Sequence, residues 1–367
     1  MDLIELALER EKRIQQSQDP NKELEVQPFS PPPLKLSTGS LLNLDPHNGI
    51  ELRTGLTIPQ LEEIEEIVDE TMEPTGPGPR GPDKRARLIA LLQWMDSGAT
   101  FRQLNVSLRC SVSQLSRAID YAIGGTEAAL VQAFIPKKRG EISSKRKFYY
   151  YPDAIGAVDA TVFQILKPSE DEESYYSGKH GIHCLKVQAL VTPDGQCVHL
   201  SEAIPGKRHD RILFTQSRLA SFLASRKEDV NGMNIETHPK ILAYSGYQGV
   251  QLNEYPEIVI PFKHKPKTPL TPEQEEYNRK LSSDGLIVEN YFGRLKAYFK
   301  ILAQPYRGSI NSLRAIIRIA FAPTNFRIRS DPLRSDKGQN EVDEESEEEM
   351  MPRKRGKMRS ASRAKKW

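Results

Sequence analysis

Ala154-Ile-Gly-Ala-Val-Asp-Ala-Thr-Val-Phe-Gln-Ile165 is apolar on both of its alternating faces. That is the pattern of a central strand covered on both sides. Asp159 stands in its middle. A lone carboxylate in such a strand costs on the order of several kcal/mol unless it is paired, hydrogen-bonded or bound to a cation. Asp159 therefore asks for a partner, either a cation or backbone donors at a strand end.

Downstream, residues 185–191 and 197–204 read as two strands joined by Thr192-Pro-Asp-Gly195, where Asp-Gly is a hairpin signal. Residues 212–223 read as a helix, and Ile241-Leu-Ala243 and Ile258-Val-Ile260 as short buried strands. Thr271-Pro-Glu-Gln274 opens another helix, with proline at its first position and glutamine at the capping-box position. Strand, hairpin, helix, strands and long helices in this order make a mixed α/β sheet domain. Along the late helix Val288, Tyr291, Phe292, Leu295, Phe299 and Leu302 form a buried stripe. Glu289 lies at its margin, able to reach a cation over the sheet edge or to stay solvated, with Lys296 continuing the polar edge.

Upstream, Leu88, Leu91, Leu92 and Met95 have helical spacing up to Gly98. Thr100 with Gln103 and Ser111 with Gln114 form two capping-box patterns. Leu115, Ile119 and Ile123 give the last helix an inner face, Gln114 and Arg117 point outward, and Gly124-Gly125 is expected to end it. This outline suits a helix-turn-helix whose second short helix reads a major groove through Gln114 and Arg117. A three-helix packing unit with no DNA role fits the same pattern, since that helix carries one arginine and no lysine. Residues 137–151 mix six basic residues with Phe148 and three tyrosines, a linker able to sit on phosphates or simply to be solvated.

The 367 residues suffice for two compact domains and tails. A net charge of +3 excludes a uniformly basic histone-like chain and an acidic disordered one, so any nucleic-acid surface is local. Cys110, Cys184 and Cys197 lack CxxC spacing, which suits a reducing compartment. No apolar run reaches membrane-spanning length, and the acid-rich start does not read as a signal peptide. Residues 1–16 read as a charged helix, 19–48 as a Pro- and Ser-rich arm, and 74–82 as a hinge. Leu61, Ile64 and Ile67 mark a helix between arm and hinge. Seven acids within 341–349 and eight basic residues within 353–366 form opposed disordered blocks, the second a nuclear-import signal or DNA clamp. The two runs nearly cancel, so the remaining body is close to neutral. His183, Cys184, Cys197 and His199 invite a zinc reading, but neighbours on a strand point to opposite faces and the four would rarely converge.

Five segments in order, Gly156-Ala-Val-Asp-Ala-Thr161, Tyr175-Tyr-Ser-Gly-Lys-His180, Gly206-Lys-Arg-His-Asp210, Ser245-Gly-Tyr-Gln-Gly249 and Val288-Glu-Asn-Tyr-Phe-Gly-Arg-Leu-Lys296, resemble the DDE endonuclease domain of Harbinger-type transposases. The resemblance spans roughly 153–325 and implies an RNase H-like fold in which two aspartates and a glutamate hold two Mg²⁺ or Mn²⁺ ions. By position Asp159 matches the first acid and Glu289 the third. The second acid is replaced by Tyr244, a neutral phenol that cannot bridge two ions, and the arginine usual four residues before the glutamate is replaced by Gly285, beside Asp284. Asp210 and Asp194 are candidate substitute acids. Asp194 also reads as a turn residue and Asp210 as a helix-capping or supporting group.

The resulting expectations are an α/β, RNase H-like sheet domain at 153–325, preceded by an arm with Pro-rich linkers at 1–81, a helix-turn-helix at 82–135 and a basic linker at 136–152, and followed by a disordered tail at 326–367. The expected protein is nuclear and transposase-derived, with a weakened metal centre at Asp159 and Glu289 and DNA contacts from Gln114, Arg117, Lys179, Lys186, Arg294 and Lys296. Its expected partners are DNA and, as the resemblance implies, a Myb-like helper protein. A catalytically silent DNA-binding or protein-interaction scaffold is the alternative.

Overall fold

The computed structural model describes residues 49–72, 83–137, 139–223, 227–228, 234–235, 239–250, 258–263 and 269–333. The expected helix at 1–16, the arm at 19–48, the hinge at 74–82 and both charged tail runs lie outside the described residues.

Among the described residues five helices come first: α1 Gly49–Thr54, α2 Ile58–Asp69, α3 Lys84–Ser97, α4 Phe101–Leu108 and α5 Val112–Phe134. Helix α3 starts where the Asp83 carboxylate accepts from the Ala86 N–H at 2.7 Å and stops at Gly98, whose φ of +62° suits glycine. The capping boxes of Thr100 and Ser111 are both formed. Gly124-Gly125, expected to end the last helix, does not. Helix α5 runs through both to Phe134, because Thr126, Leu130 and Phe134 beyond them are buried. That burial outweighs a helix cost of about 1 kcal/mol per glycine. At Gly125 a Cβ would stand 2.9 Å from Met72 Cα, and Thr71 Oγ1 donates to the Gly125 carbonyl at 2.6 Å. The glycine is a seat for the end of α2.

Seven strands form one mixed sheet: β1 Ala154–Gln164, β2 Tyr176–Ser177, β3 Ile182–Val191, β4 Cys197–Leu200, β5 Ile204–Pro205, β8 Lys240–Ala243 and β9 Ile258–Val259, with β6 Lys227–Glu228 and β7 Asn234–Ile235 in a separate ladder. The main path is β2-β3-β1-β8-β9, with β4 and β5 also paired to β3. Strand β1 is antiparallel to β3 and parallel to β8, which is parallel to β9. The remaining helices are α6 Glu172–Tyr175, α7 Asp210–Gln216, α8 Leu219–Leu223, α9 Pro272–Tyr298 and α10 Ile310–Ser330. The single helix expected over 212–223 is broken at Ser217-Arg218, where Arg218 takes a φ of +58° and Ser217 Oγ accepts from the Leu219 N–H.

Alternation along the strands sorts their side chains into two layers. Ala157, Val187, Ala189 and Leu242 join a core with α9 and α10, whereas Val158, Leu190, Ile241 and Ala243 face Phe214 and Leu219 of α7 and α8. A mixed sheet with helices on both faces is consistent with an RNase H-like fold.

The first of these cores ignores the boundaries expected from sequence. It includes Leu61 and Ile64 of α2, so that segment is no detached arm, and the buried helical position there is Val68 rather than Ile67. It continues through α3 and α5 into α9 and α10. Helix α10 carries buried Phe326, Arg327 and Ile328 past the expected tail boundary at 326. Asn325 is the polar junction: its Oδ1 accepts from Cys197 N at 2.8 Å and Tyr291 Oη at 3.1 Å, and its Nδ2 donates to Phe134 O and Cys197 O at 3.1 and 2.7 Å. The helical segment and the sheet are thereby locked to each other. The segment after α5, read as a basic linker, is also pinned. Asp194 accepts from the backbone N–H groups of Lys145 and Arg146, Asp284 from those of Tyr149, Tyr150 and Tyr151, and Phe148 is buried.

Candidate functional site

Strands β1 and β8 run parallel with Ala157 beside Leu242 and Val158 beside Ala243. The next pair in that register is Asp159 and Tyr244, at the point where β8 ends and β1 continues to Gln164. By alternation both belong to the sheet face on which α9 packs. Helix α9 brings Glu289 to the same place, since the Glu289 charge acts on both the Asp159 carboxyl and the Tyr244 phenol. The three positions singled out from sequence thus come together at one sheet edge.

The Asp159 carboxyl is pushed up to about 7 from an ordinary 3.8, chiefly by burial, with the negative charges of Asp210 and Glu289 adding to it. The Ala160 N–H and the charge of Lys179 pull the other way. The Lys179 charge does not offset the burial of this carboxyl. In the presence of chelator its folded form holds a proton that the unfolded chain gives up near pH 4. Its contribution to stability is therefore fully present below about pH 4 and lost as pH rises towards about 7. Asp159→Asn is accordingly expected to stabilise the metal-free protein at pH 8 by about 1–3 kcal/mol and to change little at pH 4. Thermal melts in EDTA at the two pH values check this. A loss of stability at pH 8 would show a carboxylate already satisfied by donors.

Tyr244, expected from the resemblance to stand in place of the second acid, faces this edge. Its hydroxyl is buried with no partner at hydrogen-bond geometry, and burial followed by the facing Glu289 raises its proton affinity well above that of an ordinary tyrosine. The ring lies over α9 at Gly285, where a Cβ would stand 3.2 Å from the Tyr244 hydroxyl and 3.5 Å from Cζ. Tyr244 and Gly285 are therefore one packing arrangement: the phenol lies against the space that a side chain at 285 would take. Asp284 beside it faces inward and holds the linker backbone.

Of the candidate substitute acids, Asp194 is bound to the linker on the β3–β4 turn, beyond Val191. Asp210, at the start of α7, acts on the Asp159 carboxyl by its charge. Its Oδ1 accepts from Lys186 Nζ at 2.9 Å, and its Oδ2 stands 2.5 Å from where a Cβ would be at Gly246, two residues after Tyr244. Tyr247, only 1% exposed, packs its ring on Phe214 and has a buried hydroxyl without a partner, on which the charges of Asp159 and Asp210 both act. Tyr247 was not among the residues singled out. Its position in the Ser245–Tyr247 turn after a short buried strand was the available signal.

The expected DNA contacts divide. Lys179 is exposed and its charge reaches Asp159. Lys186 is buried in its ion pair and also donates to Arg208 O at 2.7 Å, so it serves the interior. Lys296 donates to Thr161 Oγ1 and Val162 O at 3.0 and 2.9 Å and lies 5.2 Å from the Phe163 ring centre, fastening α9 to β1. Burial lowers the proton affinity of its amine. Arg294 donates to Tyr298 Oη at 3.0 Å and pairs with Asp331. Lys186 and Lys296 are structural cations, because both are turned toward the packed interior, whereas Arg294 is partly exposed in a surface pair. Gln114 accepts from the Ser111 N–H through its amide oxygen, and Arg117 donates to Ser113 O from an exposed position.

The four zinc candidates do not converge: His183 pairs with Glu172, and Cys197 Sγ lies against His199 O. Among the described residues no group of three or more His, Cys, Asp or Glu side chains is arranged to hold a metal ion. What the site offers is the buried Asp159 carboxyl with the Glu289 charge acting on it across the sheet edge, two carboxylates rather than a preformed cluster. That donor set fits Mg²⁺ or Mn²⁺, which take oxygen ligands and commonly bind through one or two carboxylates with water completing the shell.

Residues 158–325, which include all of these groups, match the DDE superfamily endonuclease family. Over 237 residues the chain is 27% identical to a protein of Microchaete diplosiphon named "Probable transposase for insertion sequence element IS702", an alignment covering 62% of this chain and 76% of that protein. No solved structure matches. The chain thus has a DDE superfamily endonuclease domain and a distant transposase homologue.

Proposed function

We propose, from the DDE superfamily endonuclease domain at residues 158–325, that this chain is a Harbinger-type, transposase-derived DNA-binding protein with a weakened phosphodiester-cleaving centre. The observation that carries the reading is the meeting of Asp159, Tyr244 and Glu289 where β8 ends. When bound there, a divalent ion supplies an activated water and stabilises the leaving 3′ oxygen. Asp159 and Glu289 are the carboxylates that would hold it, and exposed Lys179, whose charge reaches Asp159, would face the phosphate backbone. Tyr244 contributes no negative charge, so affinity for the ion and turnover are both low.

Upstream, α4, the tight turn at Arg109 and the exposed start of α5 fit a helix-turn-helix with Arg117 at the groove. The basic run at 353–366 fits nuclear import, and the resemblance suggests a Myb-like helper as partner. A catalytically silent DNA-binding or protein-interaction scaffold is the second reading. It is favoured by the Tyr244 ring standing where an acid is needed.

Nicking of supercoiled DNA by the full chain with Mg²⁺ or Mn²⁺ separates the two. Slow nicking that falls at least about tenfold, to background, in Asp159→Ala and Glu289→Ala is expected. Equal traces of nicking in all three proteins would leave the scaffold. For the helical segment, Arg117→Gln is expected to reduce DNA retention uniformly across sequences and to flatten its salt dependence. Unchanged retention would remove α5 from the DNA surface. Deleting 82–125 tests nothing here, because those residues share the core of the sheet domain.

A further inference from the structure

We infer that Tyr149 and Tyr150, with Lys147, Arg279 and Lys280 around them, form a surface on which the bases of an unpaired DNA strand stack. It lies on the segment that enters β1 and on the N-terminal half of α9, and its binding needs no metal ion.

The rings are fixed from beneath. Phe148 is buried, and the N–H groups of Tyr149, Tyr150 and Tyr151 all donate to the Asp284 carboxylate, so the backbone cannot turn Tyr149 inward. The Tyr149 ring is left 60% exposed. It meets Tyr150 at 89°, with ring centres 4.7 Å apart. Tyr150 is braced in turn by α9: Arg279 Cζ lies 5.5 Å and Lys280 Nζ 5.8 Å from its ring centre, and both terminal nitrogens of Arg279 stand 3.5 Å from its hydroxyl. Tyr151 packs against Tyr277 of the same helix at 6.1 Å. A ring already held in place loses little freedom when a base stacks on it.

The charge around the rings identifies the occupant. Lys147, two residues before Tyr149, is exposed, and the side chains of Arg279 and Lys280 are about half-exposed. Glu276 pairs with the last two and offsets one of these three charges, so the patch stays positive. The acids Glu273 and Glu275 lie in the first turn of α9, which leads a phosphate backbone away from them and along the helix toward Glu289, about 15 Å beyond Arg279. A duplex would use the cations and leave the Tyr149 face idle, since its bases stack on one another. An unpaired strand uses both, phosphates on the cations and a base on the ring. The basic, tyrosine-rich run that entered as a linker thereby acquires a role that the cleavage reading does not give it.

The experiment is fluorescence anisotropy of a short labelled oligothymidine titrated with the full chain in EDTA, beside a duplex of the same length. Tyr149→Ala is expected to weaken binding of the single strand by about tenfold, within the range for one stacked base, and to leave duplex binding unchanged. Tyr149→Trp is expected to bind the single strand at least as tightly as the wild type, because the base needs the ring and not the hydroxyl. Lys280→Gln is expected to weaken binding by a few fold and to flatten its salt dependence. Thermal melts of the exposed-site variants, expected to match the wild type, keep a folding defect from imitating the loss. Equal single-strand affinity in the wild type and Tyr149→Ala, or an equal loss for strand and duplex, overturns the stacking role. A wild-type chain that binds no oligothymidine overturns the surface altogether. Because chelator removes the ion, either result is independent of the nicking assay that tests the cleavage reading.

Discussion

Tyr244→Asp is expected to raise divalent-cation-dependent nicking by on the order of 10- to 100-fold, the range spanned by single changes in a metal's surroundings, while lowering stability by about 1–3 kcal/mol. The gain follows from register. Position 244 stands next to Asp159 on a parallel neighbouring strand, and a carboxylate there faces the same edge. The cost follows from packing, because the ring now covering Gly285 would be gone. Parallel nicking and urea-denaturation measurements on wild type and variant test both halves. Nicking that does not rise, with Mn²⁺ bound normally, would mean that the centre has drifted beyond the loss of one acid.

The Tyr244–Gly285 contact gives that experiment an internal control. Gly285→Ala should gain about 1 kcal/mol from helix propensity wherever its methyl group has room. In the wild-type chain it does not, as the new Cβ would press on the phenol at 3.2 Å. The substitution should therefore be neutral or unfavourable beside Tyr244 and stabilising beside Asp at 244. This non-additivity marks two positions in contact. Restoring an arginine at 285 is expected to be tolerated only once the tyrosine has been removed.

This pair also shows why the sequence was readable in part. Asp159 and Glu289 could be found because each breaks an apolar pattern local to it: an acid inside AIGAVDATVFQI, and an acid beside a helical stripe. Tyr244 and Gly285 could be seen as departures but not as a pair, because what joins them is a contact between β8 and α9. Read singly they suggest decay; in contact they form a packed substitution. Lys186 and Lys296 were misplaced for a related reason. A lysine's ordinary site is the surface, and only the partners Asp210 and Thr161 reveal that these two face inward. The apolar run Leu185-Lys-Val-Gln-Ala-Leu-Val191 did hold a hint, since a cation within a doubly covered strand needs a counter-charge as much as Asp159 does. Gly124-Gly125 misled in the other direction. Local propensity favours a stop there, and burial of Thr126, Leu130 and Phe134, with α2 seated on Gly125, overrides it.

Asp284→Ala is expected to cost about 3–5 kcal/mol of stability. The carboxylate is 1% exposed and accepts from three consecutive backbone N–H groups, Tyr149 at 3.2 Å, Tyr150 at 2.8 Å and Tyr151 at 3.0 Å. Hydrogen bonds to a charged acceptor contribute about 1.5–3 kcal/mol each, but they are not additive, and removing the acceptor lets part of the segment turn to water. Phe148 limits that escape: at 2% exposure it keeps the segment against the body, so some of the freed donors stay buried. Asp284→Asn retains one acceptor oxygen but turns an NH₂ group toward a donor, and should fall between wild type and alanine. Urea unfolding of the three proteins in chelator tests this without interference from the ion. A loss below about 1 kcal/mol for alanine would mean that the three donors find water easily and that the segment is held by Phe148 and Asp194 instead. If the larger loss is found, Asp284 and the Gly285 beside it divide the work of one turn of α9, the acid fixing the segment that leads into β1 and the glycine leaving room for Tyr244 at the neighbouring strand's end.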